Sequence, residues 1–236
     1  MKVWIFVEGD SDRLALGALW EKCGWRSQLR VKGYGLHMVP LENKDKFLRK
    51  IGPRAAEKLM GQEGDLVVGM PDFYPNSPYA AGNMRHDTLE ELRELQRTAV
   101  ERSLGEVYAI QGMHLKNRMR RFYPSALKHE MEMLLLAAKD RLGAVIGTSQ
   151  RLGGWVTPVE EQDQHPSRHP KRIVEELFRT KSPKKKAYRE TIHAPAVLGQ
   201  VTDLRQLLFL ENGSVNCPVF KATLEWVGEM AGVPAY

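Results

Sequence analysis

Cysteine is scarce in this chain: Cys23 and Cys217 are the only two among 236 residues. A disulfide-stapled fold is excluded on that count, and a reducing, cytoplasmic setting is the expectation. Neither cysteine has a CxxC partner, and His165 and His169 are separated by Pro166, so no structural zinc site is expected. No apolar run approaches the roughly 18 to 20 residues a membrane span requires, and no membrane partner is expected. The N-terminal MKVWIFVEGDSD turns acidic after a short apolar stretch, which reads as a buried strand and not as a signal peptide. Gly33-Tyr34-Gly35 and Gly153-Gly154 lack the pattern of a phosphate-binding loop, and Ser11 and Ser125 have no triad context. No internal repeat is visible. Hydrophobic residues at 42% argue against disorder, and a chain of this length can build a core without staples.

What is present is charge, and it is segregated. The formal net charge is +6. Residues 165–190 hold nine Lys/Arg and three acids, and residues 114–128 hold five Lys/Arg and no acid, so the rest of the chain is net −5. An acidic body with two basic segments suits a polyanionic partner, because positioned Lys and Arg release counterions from a phosphate backbone. Phe122, Tyr123 and Tyr188 lie within these segments and add stacking surface. The candidate nucleic-acid contacts are Arg120 and Arg121 in the first segment and Lys171, Arg172, Lys184, Lys185 and Lys186 in the second. A solvated basic loop is the alternative for the lysine triplet.

The hydrophobic pattern predicts alternating strands and helices. Residues 2–7 read as a parallel strand, Asp10 or Ser11 caps a helix reaching about Gly24, and a second strand falls around Leu29 to Tyr34 or slightly beyond. Lys44 to Met60 reads as a helix, and Asp65 to Met70 as a third strand ending at Pro71-Asp72. That alternation implies a parallel sheet flanked by helices. Residues 73–83 read as a loop, Asp87 to Leu104 as a helix, and Arg121 to Leu127 as extended. Beyond about Gly153 the pattern weakens into short helical pieces. The expected organisation is an α/β domain over residues 1–150 with a mostly helical extension over 151–236.

Two of these strands end on an acid, Glu8 and Asp72. Ligands of parallel sheets bind in the crevice beyond the carboxyl ends of the strands, so neighbouring strands would bring these carboxylates together. Oxygen ligands of that kind select a hard cation, Mg²⁺ or Mn²⁺. Asp12, one turn into the following helix, can complete the shell or serve the helix end. His129, Glu130 and Glu132 form a further group: His129 and Glu132 share a face if the segment is helical, Glu130 and Glu132 if it is extended. An ordinary acidic helix start is the plainer reading of that group.

Val7-Glu8-Gly9-Asp10-Ser11-Asp12 after a first strand, with Asp72 closing a later one, resembles the TOPRIM fold of topoisomerases, primases and overcoming-lysogenization-defect nucleases. Asp72-Phe73-Tyr74, the run His129 to Leu135, the stretch Pro166 to Arg172 and Cys217-Pro218-Val219-Phe220 are similar to a bacterial TOPRIM-like family of unknown function, often encoded near ATPases in mobile or defence regions. The resemblance implies that Glu8 is the fold's glutamate and Asp72 the first acid of an Asp-x-Asp pair. Tyr74 stands where the second aspartate would fall, and a neutral phenol is a poor Mg²⁺ ligand. The missing charge would come from Asp12, Glu130 or Glu132, or one metal position is lost.

The expected activity is metal-dependent hydrolysis of phosphodiester bonds in nucleic acid, with Glu8 and Asp72 holding the ion, His129, Glu130 and Glu132 as further catalytic candidates, and an ATPase as partner. A catalytically degenerate nucleic-acid-binding or sensor subunit and a primase-type nucleotidyl transferase are the rivals.

Overall fold

A computed structural model of the chain describes residues 1–74, 84–162, 165, 167–183 and 185–236. In chain order the elements are β1 (Lys2–Val7), α1 (Asp10–Lys22), α2 (Trp25–Val31), β2 (Gly35–Pro40), α3 (Lys44–Leu59), β3 (Leu66–Gly69), α4 (Leu89–Tyr108), α5 (Gly112–Met119) and β4 (Phe122–Pro124). They continue with α6 (Glu132–Ala137), α7 (Lys139–Ile146), a 3-10 turn at Val159–Glu161, α8 (Pro170–Lys181), α9 (Glu190–Leu198), α10 (Arg205–Leu208) and α11 (Pro218–Ala231). The strands make one parallel sheet in the order β2-β1-β3-β4. The fold is α/β, a parallel sheet flanked by helices with a mostly helical C-terminal part, as the alternating pattern predicts.

The chain divides into two compact units, neither of them contiguous. The sheet unit comprises Met1–Gly9, Arg26–Ala126 and Thr223–Ala235; the helical unit comprises Asp10–Trp25, Leu127–Ala222 and Tyr236. This corrects the division at residue 150. The apolar run Met133 to Leu136 on α6 is fully buried and its helix packs on α8 and α9, so the helical unit begins well before the change in composition at Gly153. Helix α1 joins it, packing along α9.

In the sheet unit, β1 buries Val3, Ile5 and Val7 on one side and Phe6 on the other, which is why its sequence is a continuous apolar run and not an alternation. Phe6, Val67 and Phe122 are covered by Phe47, Ile51, Ala55 and Leu59, spaced four apart on α3, and by Val100 and Leu104 on α4. Helices α3 and α4 approach closely at Gly52, where a Cβ would lie 2.6 Å from the carbonyl oxygen of Ala99. A Cβ at Gly69, the end of β3, would lie 2.1 Å from Oε1 of Gln96, whose amide in turn donates to the Ser125 carbonyl at 2.8 Å. Helix α4 starts in a capping box, the Glu91 N–H donating to Thr88 Oγ1 and the Thr88 N–H to the Glu91 carboxylate. At the last strand, Tyr123 stacks on Trp226 of α11 with ring centroids 5.1 Å apart.

The second strand lies later than the pattern suggests. Leu29 to Val31 belongs to α2, which buries Trp25 and Leu29 at helical spacing, and the chain then turns through Gly33 at φ 81° into β2. β2 is an edge strand with partly exposed side chains, and its apolar signal is correspondingly weak. Most of the loop expected at residues 73–83 lies outside the described residues.

Candidate functional site at the carboxyl edge of the sheet

β1 and β3 are direct neighbours, with Phe6 opposite Gly69, and the Met70 N–H still donates to the Phe6 carbonyl at 2.8 Å. Both chains leave the sheet within the next two residues, and that register brings Glu8 and Asp72 together. The backbone N–H of Asp72 donates to Oε1 of Glu8 at 3.1 Å. The two strand-end acids thus meet at the carboxyl edge, 64 residues apart in sequence.

A third group of the site has no signature in the sequence. Lys44, the first residue of α3, is 5% exposed, and its Nζ donates to the Phe73 carbonyl at 2.7 Å. Asn43 starts the helix by accepting from the Lys46 N–H at 2.9 Å, and this fixes where the lysine projects. Burial pulls the Lys44 ammonium down to about 8, opposed by the negative charges of Glu8 and Asp72. His86 is buried beside Phe73, their rings 6.2 Å apart, and its Nδ1 is 2.8 Å from the Met84 carbonyl; burial lowers its pKa, with Lys44 contributing in the same direction. Two carboxylates and one partly suppressed ammonium leave the edge acidic.

Among the described residues no group of three or more His, Cys, Asp or Glu side chains is arranged to hold a metal ion, so Glu8 and Asp72 stand as a pair. Two hard oxygen donors fit a single Mg²⁺ or Mn²⁺ that takes its remaining ligands from water and substrate oxygens.

Asp12 is buried in the first turn of α1, in the helical unit. His129, Glu130 and Glu132 belong to that unit as well, each with local partners. His129 Nε2 is 3.0 Å from the Glu160 carbonyl, and burial depresses its pKa. Oε1 of Glu130 accepts from His169 Nδ1 at 2.7 Å and from the Lys171 N–H at 2.6 Å, closing the N-terminus of α8. Glu132 accepts from the Tyr188 hydroxyl at 3.0 Å, and burial, reinforced by Glu130 and Glu190, pushes it up to about 8. Glu160, which sequence reasoning missed, does for α11 what Glu130 does for α8: its carboxylate accepts from the N–H groups of Val219 and Phe220 at 2.8 and 3.1 Å. The His129 to Leu135 and Cys217 to Phe220 motifs thus carry helix-capping and packing roles. Cys217 is buried, its Sγ 3.3 Å from the Leu207 carbonyl.

The first basic segment is not at this edge. Arg120 and Arg121 immediately precede β4, at the amino ends of the parallel strands. Arg121 is buried and donates to the carbonyls of Leu59, Gln62 and Asp65, and Arg118 also donates to Leu59, so both satisfy the open end of α3 and the turn after it. Arg121 is therefore removed from the nucleic-acid contacts. Arg120 is exposed and lines a groove of about 590 Å³ with Lys116 and Arg97. In the second segment, Lys171 pairs with Glu190 and the exposed Arg172 with Glu175. Lys185 and Lys186 are exposed, and Lys184 lies outside the described residues.

A family described as a domain of unknown function (DUF4276) matches residues 7–207. The chain belongs to this family. No curated protein and no solved structure matches it. The matched span begins at the end of β1, so it takes in both Glu8 and Asp72 together with Lys44. No helix among the described residues is long and apolar enough to cross a membrane.

Proposed function

We propose that this DUF4276 chain is a phosphodiesterase acting on nucleic acid with a single Mg²⁺ or Mn²⁺ held by Glu8 and Asp72. The observation that carries the reading is their contact at the carboxyl edge of a parallel sheet, where such folds bind ligands. A bound ion there would polarise a phosphoryl oxygen and lower the pKa of an attacking water. The chain's own contribution is positional. The Asp72 N–H fixes one oxygen of Glu8, and Lys44 holds the Phe73 carbonyl and thereby the segment that carries Asp72. Lys44 also supplies a positive charge beside both acids. The ATPase partner and the defence or mobile-element setting follow from the resemblance to the TOPRIM-like family.

Two observations favour the degenerate alternative, a nucleic-acid-binding or sensor subunit. Lys44 already balances part of the Glu8 and Asp72 charge, and Tyr74 occupies the position of a second acid. Electron paramagnetic titration with Mn²⁺ and cleavage of labelled single- and double-stranded DNA and RNA separate the two. The enzyme reading expects one Mn²⁺ per chain, lost in Asp72→Asn, and cleavage abolished by Glu8→Gln. Cleavage that persists unchanged in both variants sinks it; nucleic-acid binding without Mn²⁺ uptake or cleavage establishes the alternative.

A further inference from the structure

The helical unit contains a cavity of about 510 Å³, within the size range of small-molecule sites. It is lined from α6, α7, α10 and the segments around Trp155 and Asn216. Three of its features are unusual for a packing defect. Trp155 is half-buried on its wall, and of the five tryptophans it alone has no ring partner among the described residues: Trp4 stacks on His37, Trp226 stacks on Tyr123, and Trp20 and Trp25 meet at a tilt. Arg141 and Arg205 line the cavity from α7 and α10, and neither makes an ion pair among the described residues. The exposed amide of Gln206 lies on the same wall and has no hydrogen bond among the described residues.

The charge balance of the lining favours an anion. Lys139 and Glu211 neutralise each other at 3.2 Å, which leaves Arg141 and Arg205 against Asp140 alone. A flat aromatic face, two guanidinium groups able to bind phosphate in bidentate fashion, and a neutral amide able to both donate and accept match one ligand chemistry. A fatty or sterol-like ligand would leave the arginines unpaired, and a bare inorganic anion would not use the indole.

We infer that this cavity binds a nucleotide, with Trp155 stacking the base, Arg141 and Arg205 holding the phosphate, and Gln206 reading the base edge. The ligand is either a free mononucleotide or the phosphorylated end of a single strand, which present the same chemistry. The site does not depend on Glu8 and Asp72, so it stands or falls separately from the hydrolytic reading.

Calorimetric titration of the full chain with adenosine and uridine 5′-monophosphates, adenosine, inorganic phosphate and a 5′-phosphorylated tetranucleotide tests it, alongside tryptophan fluorescence. Binding of a monophosphate is expected, stronger than that of adenosine or phosphate alone, with fluorescence quenching that disappears in Trp155→Phe. Arg141→Ala/Arg205→Ala, shown folded by circular dichroism, should weaken binding roughly tenfold or more, whereas Glu8→Gln should leave it unchanged. Equal affinity for the tetranucleotide assigns the strand end, and its exclusion assigns the free nucleotide. Absence of binding by every probe at about 10 mM, far weaker than the micromolar to millimolar range of ordinary ligand sites, overturns the inference. So does binding that survives the double arginine variant, or quenching that survives Trp155→Phe.

Discussion

Lys44 donates to the carbonyl oxygen of Phe73 at 2.7 Å, and so the first turn of one helix is tied to the residue that follows Asp72. The same ammonium feels both acids of the carboxyl edge, and burial pulls its pKa down to about 8. Architecture and electrostatics of the candidate site therefore meet in one side chain.

Lys44→Met should separate these two roles. Loss of the donor to a buried carbonyl is expected to cost about 1–3 kcal/mol at pH 7, read as a lower urea midpoint, while Mn²⁺ binding at Glu8 and Asp72 tightens because no internal cation competes. The wild-type pH profile carries a matching signature. Folded Lys44 titrates at about 8, below its ordinary value of 10.5, so the unfolded chain keeps the proton to higher pH and stability rises between these values. That rise should be absent from the variant.

Glu132 predicts the opposite slope. Its carboxyl is raised from 4.5 to about 8 in the folded protein, so the stabilising contribution is complete below 4.5 and is lost as pH climbs through 8. The fall should approach ~1.4 kcal/mol per pH unit within the window. Glu132→Gln keeps an acceptor for the Tyr188 hydroxyl without a proton to lose, and urea unfolding at several pH values should show a flatter profile.

Arg120 and Arg121 are adjacent in sequence and should behave differently. Arg121→Ala removes one donor from each of the carbonyls of Leu59, Gln62 and Asp65, Leu59 keeping its bond from Arg118, with an expected loss of about 1–3 kcal/mol. Arg120→Ala should change the melting temperature little, and any effect it has should appear in the salt dependence of nucleic-acid binding.

At Gly69 the expected outcome is a rescue. Gly69→Ala drives a methyl into the Gln96 amide and should cost about 1–3 kcal/mol. Adding Gln96→Ala removes the obstructing group, so the double variant should be more stable than the sum of the single losses predicts. Simple additivity in denaturant titrations would refute the contact.

The parts legible in the sequence share a local cause. β1 and β3 announce themselves as short apolar runs stopped by acids, and the helix read from Asp87 to Leu104 overlaps α4 from Leu89 onward. The pairing of Glu8 with Asp72 was legible too, because parallel topology brings strand ends together. β2 was misplaced, since α2 takes Leu29 to Val31 and an edge strand half open to solvent has no strong period. Lys44 and Glu160 gave no sequence signal, because each acquires its role from partners far along the chain. The basic residues misled in part for the same reason: Arg121 reads as a phosphate ligand until the open carbonyls of α3 are seen beside it.

The contact between the hydroxyls of Ser125 and Thr223 spans 98 residues within the sheet unit. Between them the chain builds nearly all of the helical unit, and only then returns to complete the sheet unit with the end of α11. A protein of this layout cannot mature unit by unit as it leaves the ribosome, because each unit is interrupted by segments of the other. No single cut can release both units intact, and long-range closure of this kind favours slow, concerted folding. Loss of the last turns of α11 would therefore be felt at β4, where Trp226 covers Tyr123, and not only at the end of the chain.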